Sequence, residues 1–228
     1  MTTTLITGAN RGLGRESAAQ LIAAGHTVYI GARDEARGRA VAEELGAGAR
    51  FVQLDVTDDA SVAAAFAQIE ADGGLDVLVN NAGIALLALN GPEALRVFDT
   101  NAVGIIRVTE AALPLLKRSA NPVVVNVSSA LGSFTANHDP ARPASQVSAI
   151  VYGSSKAAVS MITVQYARAV PEVKFNAVEP GYTATELGGS VTGGRPVEVS
   201  ARNIVRMAVI GADGPTGTFQ EDDAELGW

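Results

Sequence analysis

The chain has 228 residues, 47% hydrophobic and 18% charged, with a formal net charge of -7. That length and apolar content suffice for one sizeable core, so a single domain spanning residues 1–228 is expected, and the negative balance disfavours nonspecific attraction to nucleic acid or to an anionic membrane surface. Cysteine is absent and the two histidines, His26 and His138, are isolated, which excludes disulfides, thiolate chemistry and an ordinary zinc site; redox chemistry would need an organic cofactor. No apolar run approaches the about 20 residues that cross a bilayer. The opening MTTTLITG lacks the basic flank and long apolar stretch of a signal peptide, so a cytoplasmic location is expected.

In chain order, short β-branched runs alternate with Ala-rich helical stretches. Strands are expected at 3–7, 27–32, 50–54, 75–80, 123–128 and 174–179, with helices at 15–24, 35–45, 61–71, 95–117 and 152–169. This βαβ alternation predicts an α/β fold, a Rossmann-type doubly wound, mostly parallel sheet. Runs such as LDVLVN and PVVVNVS are too continuously apolar for one wet face, so helices should cover both sides. Gly25, Gly46 and Gly73 mark three helix ends. The Gly/Pro-rich stretches 132–148 and 188–196 read as loops, late in the chain where such a sheet places substrate-facing segments.

After the first strand, TGANRGLG opens a helix. Gly8, Gly12 and Gly14 would let backbone amides approach a pyrophosphate at the helix N-terminus, although a tight strand-to-helix turn has the same look. The second strand ends in GARDE, where an acid would accept from a ribose hydroxyl and an arginine would pair with a 2′-phosphate. Arg33 favours the phosphate, and Arg11 could join it. Asp34 reads as the cap of the next helix. Asp55, in LDVT, either holds the adenine end of a dinucleotide or caps the following helix.

Tyr152 and Lys156, four apart on one predicted helix, share a face. An ammonium close to a phenol favours the phenolate and would bring its pKa down from about 10 toward the working range, making Tyr152 a proton donor or acceptor. Ser128 and Ser129 end the fifth strand, where a hydroxyl could bond a substrate oxygen. Asn80, Asn81, Ala82 and Gly83 form either a turn or a close passage for a cofactor. Asn101 sits inside a predicted helix, an unfavourable place unless its amide finds a partner, and a local kink is expected there if it does.

With these residues in place, the sequence resembles the short-chain dehydrogenase/reductase family. TGANRGLG, LDVT, NNAG, Asn101, NVSSALG, Tyr152-x-x-x-Lys156 and NAVEPGYTATE occur in the family's order, and GARDEARG with LDVLVNNAGIA resembles its NADPH-dependent carbonyl-reductase branch. The resemblance implies a catalytic tetrad of Asn101, Ser129, Tyr152 and Lys156. Ser129 would orient the carbonyl oxygen, Tyr152 would transfer the proton, Lys156 would bind the nicotinamide ribose and acidify Tyr152, and Asn101 would hold a water for proton relay. It implies NADP(H) bound by Gly8, Asn10, Arg11, Gly12, Leu13 and Gly14, by Arg33, by Asp55 and Val56, and by Asn81, Ala82 and Gly83. Tyr152 and Lys156 contact it as well, and Pro180, Gly181, Thr183 and Thr185 bracket the carboxamide. Ala32 stands where NAD-preferring members carry Asp.

The implied reaction is hydride transfer from NADPH to a ketone or aldehyde. Alcohol oxidation with NAD(P)+ would use the same residues, and a nucleotide-sensing protein without turnover is the reading from another class. Small-molecule carbonyls or alcohols are the implied partners; monomer and homo-oligomer both stay open. The segment between Ser129 and Tyr152 is longer than in most members, where it could shape the substrate mouth or cover an assembly surface.

Overall fold

β-Branched and apolar runs set the strands of one sheet: β1 (Thr3–Thr7), β2 (Thr27–Ala32), β3 (Ala49–Gln53), β4 (Val77–Asn80), β5 (Val123–Val127), β6 (Lys174–Glu179), β7 (Thr218–Glu221) and β8 (Ala224–Glu225). They lie in the order β3-β2-β1-β4-β5-β6-β7-β8. All pair in parallel except β7 with β8. The computed structural model describes residues 2–86, 89–184, 193–222 and 224–228.

Helices α1 (Gly12–Ala23), α2 (Glu35–Leu45), α3 (Asp59–Ala71), α4 (Gly91–Phe98), α5 (Gly104–Leu116), α6 (Phe134–His138), α7 (Ile150–Ala169) and α8 (Val197–Ala208) connect or flank the strands. Alternate residues of the central strands β1, β4 and β5 feed two cores. Leu5, Leu78 and Val124 pack with Phe66 and Ile69 of α3 and Val108 and Leu116 of α5. Ile6, Val77, Val79 and Val125 pack on the other face with Leu21 of α1 and Ile204 and Met207 of α8. The sheet is therefore doubly wound, as the continuous apolar runs required. Connections leave β1 toward β2 and β4 toward β5, in opposite directions, and this reversal opens a crevice outside the carboxyl ends of the strands.

Three expectations are corrected. The single helix at 95–117 is divided into α4 and α5 by a π turn, Asp99–Val103, because Asn101 is drawn into bonds with another segment. The loop expected at 132–148 contains α6 and the 3-10 turn Pro143–Gln146, organised in part by the Ser133 hydroxyl, which accepts from Ala136 N at 2.9 Å. Beyond 179, α8, β7 and β8 form although no element was expected there. Of the loop expected at 188–196, only 193–196 fall within the described residues.

Candidate active site

At the crevice, the β1–α1 turn brings backbone rather than side chains to the surface. Gly8 has φ +66, a left-handed conformation suited to glycine. A Cβ on Gly14 would stand 2.5 Å from Asn81 Nδ2 and 2.7 Å from Gly8 O, so only glycine lets α1 begin against the β4 turn. Asn81 in turn donates from Nδ2 to Thr7 O at 2.8 Å and Gly8 O at 3.2 Å. Asn81 N and Ala82 N donate to the Thr7 hydroxyl at 3.0 and 2.9 Å. No side chain caps α1 and no acid lies in its first turn. Its leading N–H groups and positive dipole end suit an anion such as a pyrophosphate.

One cavity of about 1540 Å³ runs from this turn to the end of β6. That exceeds the range of about 300–1,000 Å³ typical of pockets for a single small ligand, leaving room for a dinucleotide beside a second molecule. Gly8, Asn10, Arg11, Gly12, Leu13, Gly14, Arg33, Asp55, Val56, Asn81, Ala82, Gly83, Ser129, Tyr152, Lys156, Pro180, Gly181 and Thr183 all line it. Thr185 lies outside the described residues. Arg33 is exposed at the far end. Asp34 caps α2, accepting from Arg37 N at 3.0 Å, as expected, and lies 3.4 Å from the Arg37 guanidinium. The capping alternative for Asp55 is not what forms: Asp58 caps α3, while Asp55 accepts from Thr57 N and Oγ1 at 2.9 and 2.7 Å and fixes the turn before it. A bare glycine loop, an uncapped helix start and an arginine at the ribose end fit a dinucleotide carrying a 2′-phosphate.

Opposite the glycine loop, Ser129 and Tyr152 line the same stretch of the cavity, close enough for the Ser129 hydroxyl to lower the Tyr152 phenol. Ser128 also lines the cavity, but it is buried and its hydroxyl is engaged, donating to Lys156 O at 3.2 Å. The approach depends on Gly132: a Cβ there would stand 2.4 Å from the Lys156 backbone carbon, so the turn after β5 can press against α7. Lys156 Nζ donates to Val127 O at 2.7 Å and lies 5.6 Å from the Tyr152 ring centroid. Asn101 is fully buried behind the cavity wall. Its Oδ1 accepts from Ile84 N at 2.8 Å, and its Nδ2 donates to Ile84 O at 2.9 Å and Ser155 Oγ at 3.0 Å. Those bonds hold the π turn in place of regular helix pairing.

The electrostatics differ from the expected ammonium effect. Burial lifts the Tyr152 phenol above its ordinary range, the charge of Glu179 lifts it further, and the Ser129 hydrogen bond lowers it. Burial also pushes Lys156 down to about 8, against the raising influence of Glu179. For both groups desolvation is the largest influence.

Sequence reasoning missed the charged far wall. Glu179, Arg195, Glu221, Asp222 and Arg142 all line the cavity. Arg142 pairs with Glu221, Nη1 to Oε2 at 3.0 Å, and Arg195 donates from Nη1 to both Asp222 oxygens at 2.9 and 3.0 Å. Only Glu179 carried a signal, as an acid at the end of a parallel strand buried from Phe175 onward. Among the described residues, no group of His, Cys, Asp and Glu could hold a metal, and no helix is long and apolar enough to cross a membrane.

The short chain dehydrogenase profile matches residues 2–195. The chain belongs to the short-chain dehydrogenase family. Within this family of oxidoreductases it is 35% identical to a short-chain dehydrogenase/reductase of Stachybotrys chlorohalonatus, over 95% of this chain and 87% of the other. An NADPH-bound carbonyl reductase from chicken fatty liver superposes with a TM-score of 0.88 at 27% identity, covering 100% of this chain and 99% of that one. Salutaridine reductase from Papaver somniferum gives 0.84 at 27% identity, covering 98% and 100%. The short-chain dehydrogenase sheet and the resemblance to the carbonyl-reductase branch thus agree with the expectation from sequence.

Proposed function

We propose that residues 1–228 form one catalytic domain that reduces a ketone or aldehyde with NADPH, with Tyr152 as the proton donor. The observation that carries this reading is the single cavity joining Arg33 and the glycine loop to the Ser129–Tyr152 pair. NADPH, when bound, supplies the hydride. Gly8 to Gly14 hold the pyrophosphate, Arg33 and Arg11 the 2′-phosphate, and Pro180, Gly181 and Thr183 the carboxamide end. Ser129 orients the carbonyl oxygen by hydrogen bonding, and Tyr152 donates its proton to that oxygen as negative charge develops. Lys156 binds the nicotinamide ribose and Asn101 supports the proton path, roles brought to these positions by family membership.

Direction is read from Arg33, which lines the cavity and favours the 2′-phosphate of NADPH, the hydride donor of reduction. The mouth is lined by Leu86, Leu89, Leu131, Val147, Ile150 and Tyr182, several of them strongly exposed, and its two arginines already pair with acids. An apolar carbonyl compound fits this wall better than an anionic one. The relatives named as carbonyl and salutaridine reductases point the same way.

The test is oxidation of NADPH and NADH by the purified protein across ketones, aldehydes and quinones of graded polarity. Turnover that prefers NADPH and rises with apolar size is expected. NADPH binding with no turnover on any carbonyl would overturn the reductase reading in favour of nucleotide sensing.

A further inference from the structure

Glu179 is the last residue of β6, 9% exposed, at the end of a strand whose other buried residues are Phe175, Asn176, Ala177 and Val178. A buried carboxylate is costly unless it is hydrogen-bonded, so its presence here calls for partners. It has them in the two turns that frame the reaction. Oε2 accepts from Ala130 N, the residue after Ser129, and Oε1 accepts from Gly181 N at 2.7 Å, in the turn assigned above to the carboxamide end of the cofactor. The backbone of Glu179 is pinned independently, its carbonyl accepting from Asn203 Nδ2 of α8 at 3.1 Å.

We propose that Glu179 is a positioning residue that clamps the Ser129 turn to the Pro180–Gly181 turn and sets a negative charge beside Tyr152 and Lys156. It rests on the reductase reading for its consequence in catalysis, but the clamp and the charge are properties of the chain itself. One carboxylate spans the substrate-orienting hydroxyl and the cofactor turn, so their separation is fixed by a side chain of defined length. The groups facing it are Tyr152 and Lys156 from α7, Arg195 from the segment before α8, and Glu221 from β7; α8 contributes the uncharged Asn203. Burial and Glu221 raise the Glu179 carboxyl, while the two N–H bonds and Arg195 hold it down. Both carboxyl oxygens accept from backbone N–H groups, the pattern of a carboxylate, and a negative charge there opposes phenolate formation.

The sign is definite. Reduction requires protonated Tyr152, so its rate falls as pH rises through the Tyr152 pKa. Removing the neighbouring negative charge lowers that pKa and moves the alkaline limb to lower pH. In the Glu179→Gln enzyme the limb of kcat for NADPH-dependent reduction should move down by at least about half a pH unit, with kcat reduced more than the KM for NADPH is raised. Glu179→Asp keeps the charge but shortens the reach, so the limb should stay near its wild-type position while kcat falls.

An unmoved limb in a folded Glu179→Gln enzyme would overturn the charge assignment, and wild-type kcat in Glu179→Asp would overturn the clamp. Should the Gln variant fail to fold, Glu179→Asp still decides the clamp and Glu179→Ala takes the place of Glu179→Gln in the test of the charge. Ultraviolet titration of the phenolate in cofactor-free protein, read as the difference from the same variant carrying Tyr152→Phe, separates this proposal from the reductase reading. Earlier phenolate onset in Glu179→Gln supports it even if no carbonyl turns over, and an unchanged onset contradicts it.

Discussion

The two ends of the cavity are built from different materials. The cofactor end is mostly backbone: the β1–α1 turn, an uncapped helix start, and the β4 turn stitched to Thr7. The Tyr152 end is mostly side chains brought together over long separations, such as Glu179 with Ala130, 49 residues apart, and Arg142 with Glu221, 79 apart. Backbone sites tolerate change wherever glycine geometry is kept, whereas side-chain clamps concentrate specificity in a few removable groups.

The largest way to break this comparison is Tyr152→Phe. It deletes the proposed proton donor while leaving the cofactor end intact, so kcat should fall by about 10²–10⁴-fold or more, with NADPH affinity measured by fluorescence titration nearly unchanged. Comparable losses in both would mean that the two ends are not separable. Arg33→Ala is the converse. Losing a charge-assisted phosphate contact, worth about 1.5–3 kcal/mol, should weaken NADPH about tenfold or more and NADH little; equal effects would remove Arg33 from the phosphate.

Lys156 joins the two ends and sharpens the contrast through pH. Its pKa of about 8 leaves it charged below that value and neutral above it, so kcat/KM for NADPH should be level below about pH 8 and decline above it. A level profile to far higher pH would place the charge elsewhere. The smallest effect is expected from Asp34→Ala, which removes the α2 cap at a cost of about 1 kcal/mol, read as a lower Tm. The preference for NADPH over NADH should not change, since Asp34 bonds Arg37 N; a gain of NADPH affinity would show that it repels the phosphate.

What the sequence made legible divides along the same line. Six strands and the glycine loop were readable because burial on both faces writes continuous apolar runs and because Gly14 admits no Cβ. Asn101 was visible as an anomaly, but the π turn was not, since its partner, the Ile84 backbone, lies 17 residues away. The short, mixed strand Thr218–Glu221 gives no periodic signal, so β7 and its acids went unseen. The burial that raises Tyr152 and lowers Lys156 was unreadable for a related reason: spacing within a helix reports which residues share a face, not how far each is desolvated.

The central claim, that this cavity carries hydride from NADPH to a carbonyl carbon with Tyr152 supplying the proton, is tested most directly by isotope transfer. NADPH deuterated at the transferring position of its nicotinamide is incubated with the carbonyl that turns over fastest, and the alcohol is analysed by mass spectrometry. One deuterium on the carbinol carbon with the wild-type protein, and almost no product with Tyr152→Phe, is the predicted result. Alcohol lacking deuterium, or labelled alcohol formed equally fast without the Tyr152 hydroxyl, would contradict the account.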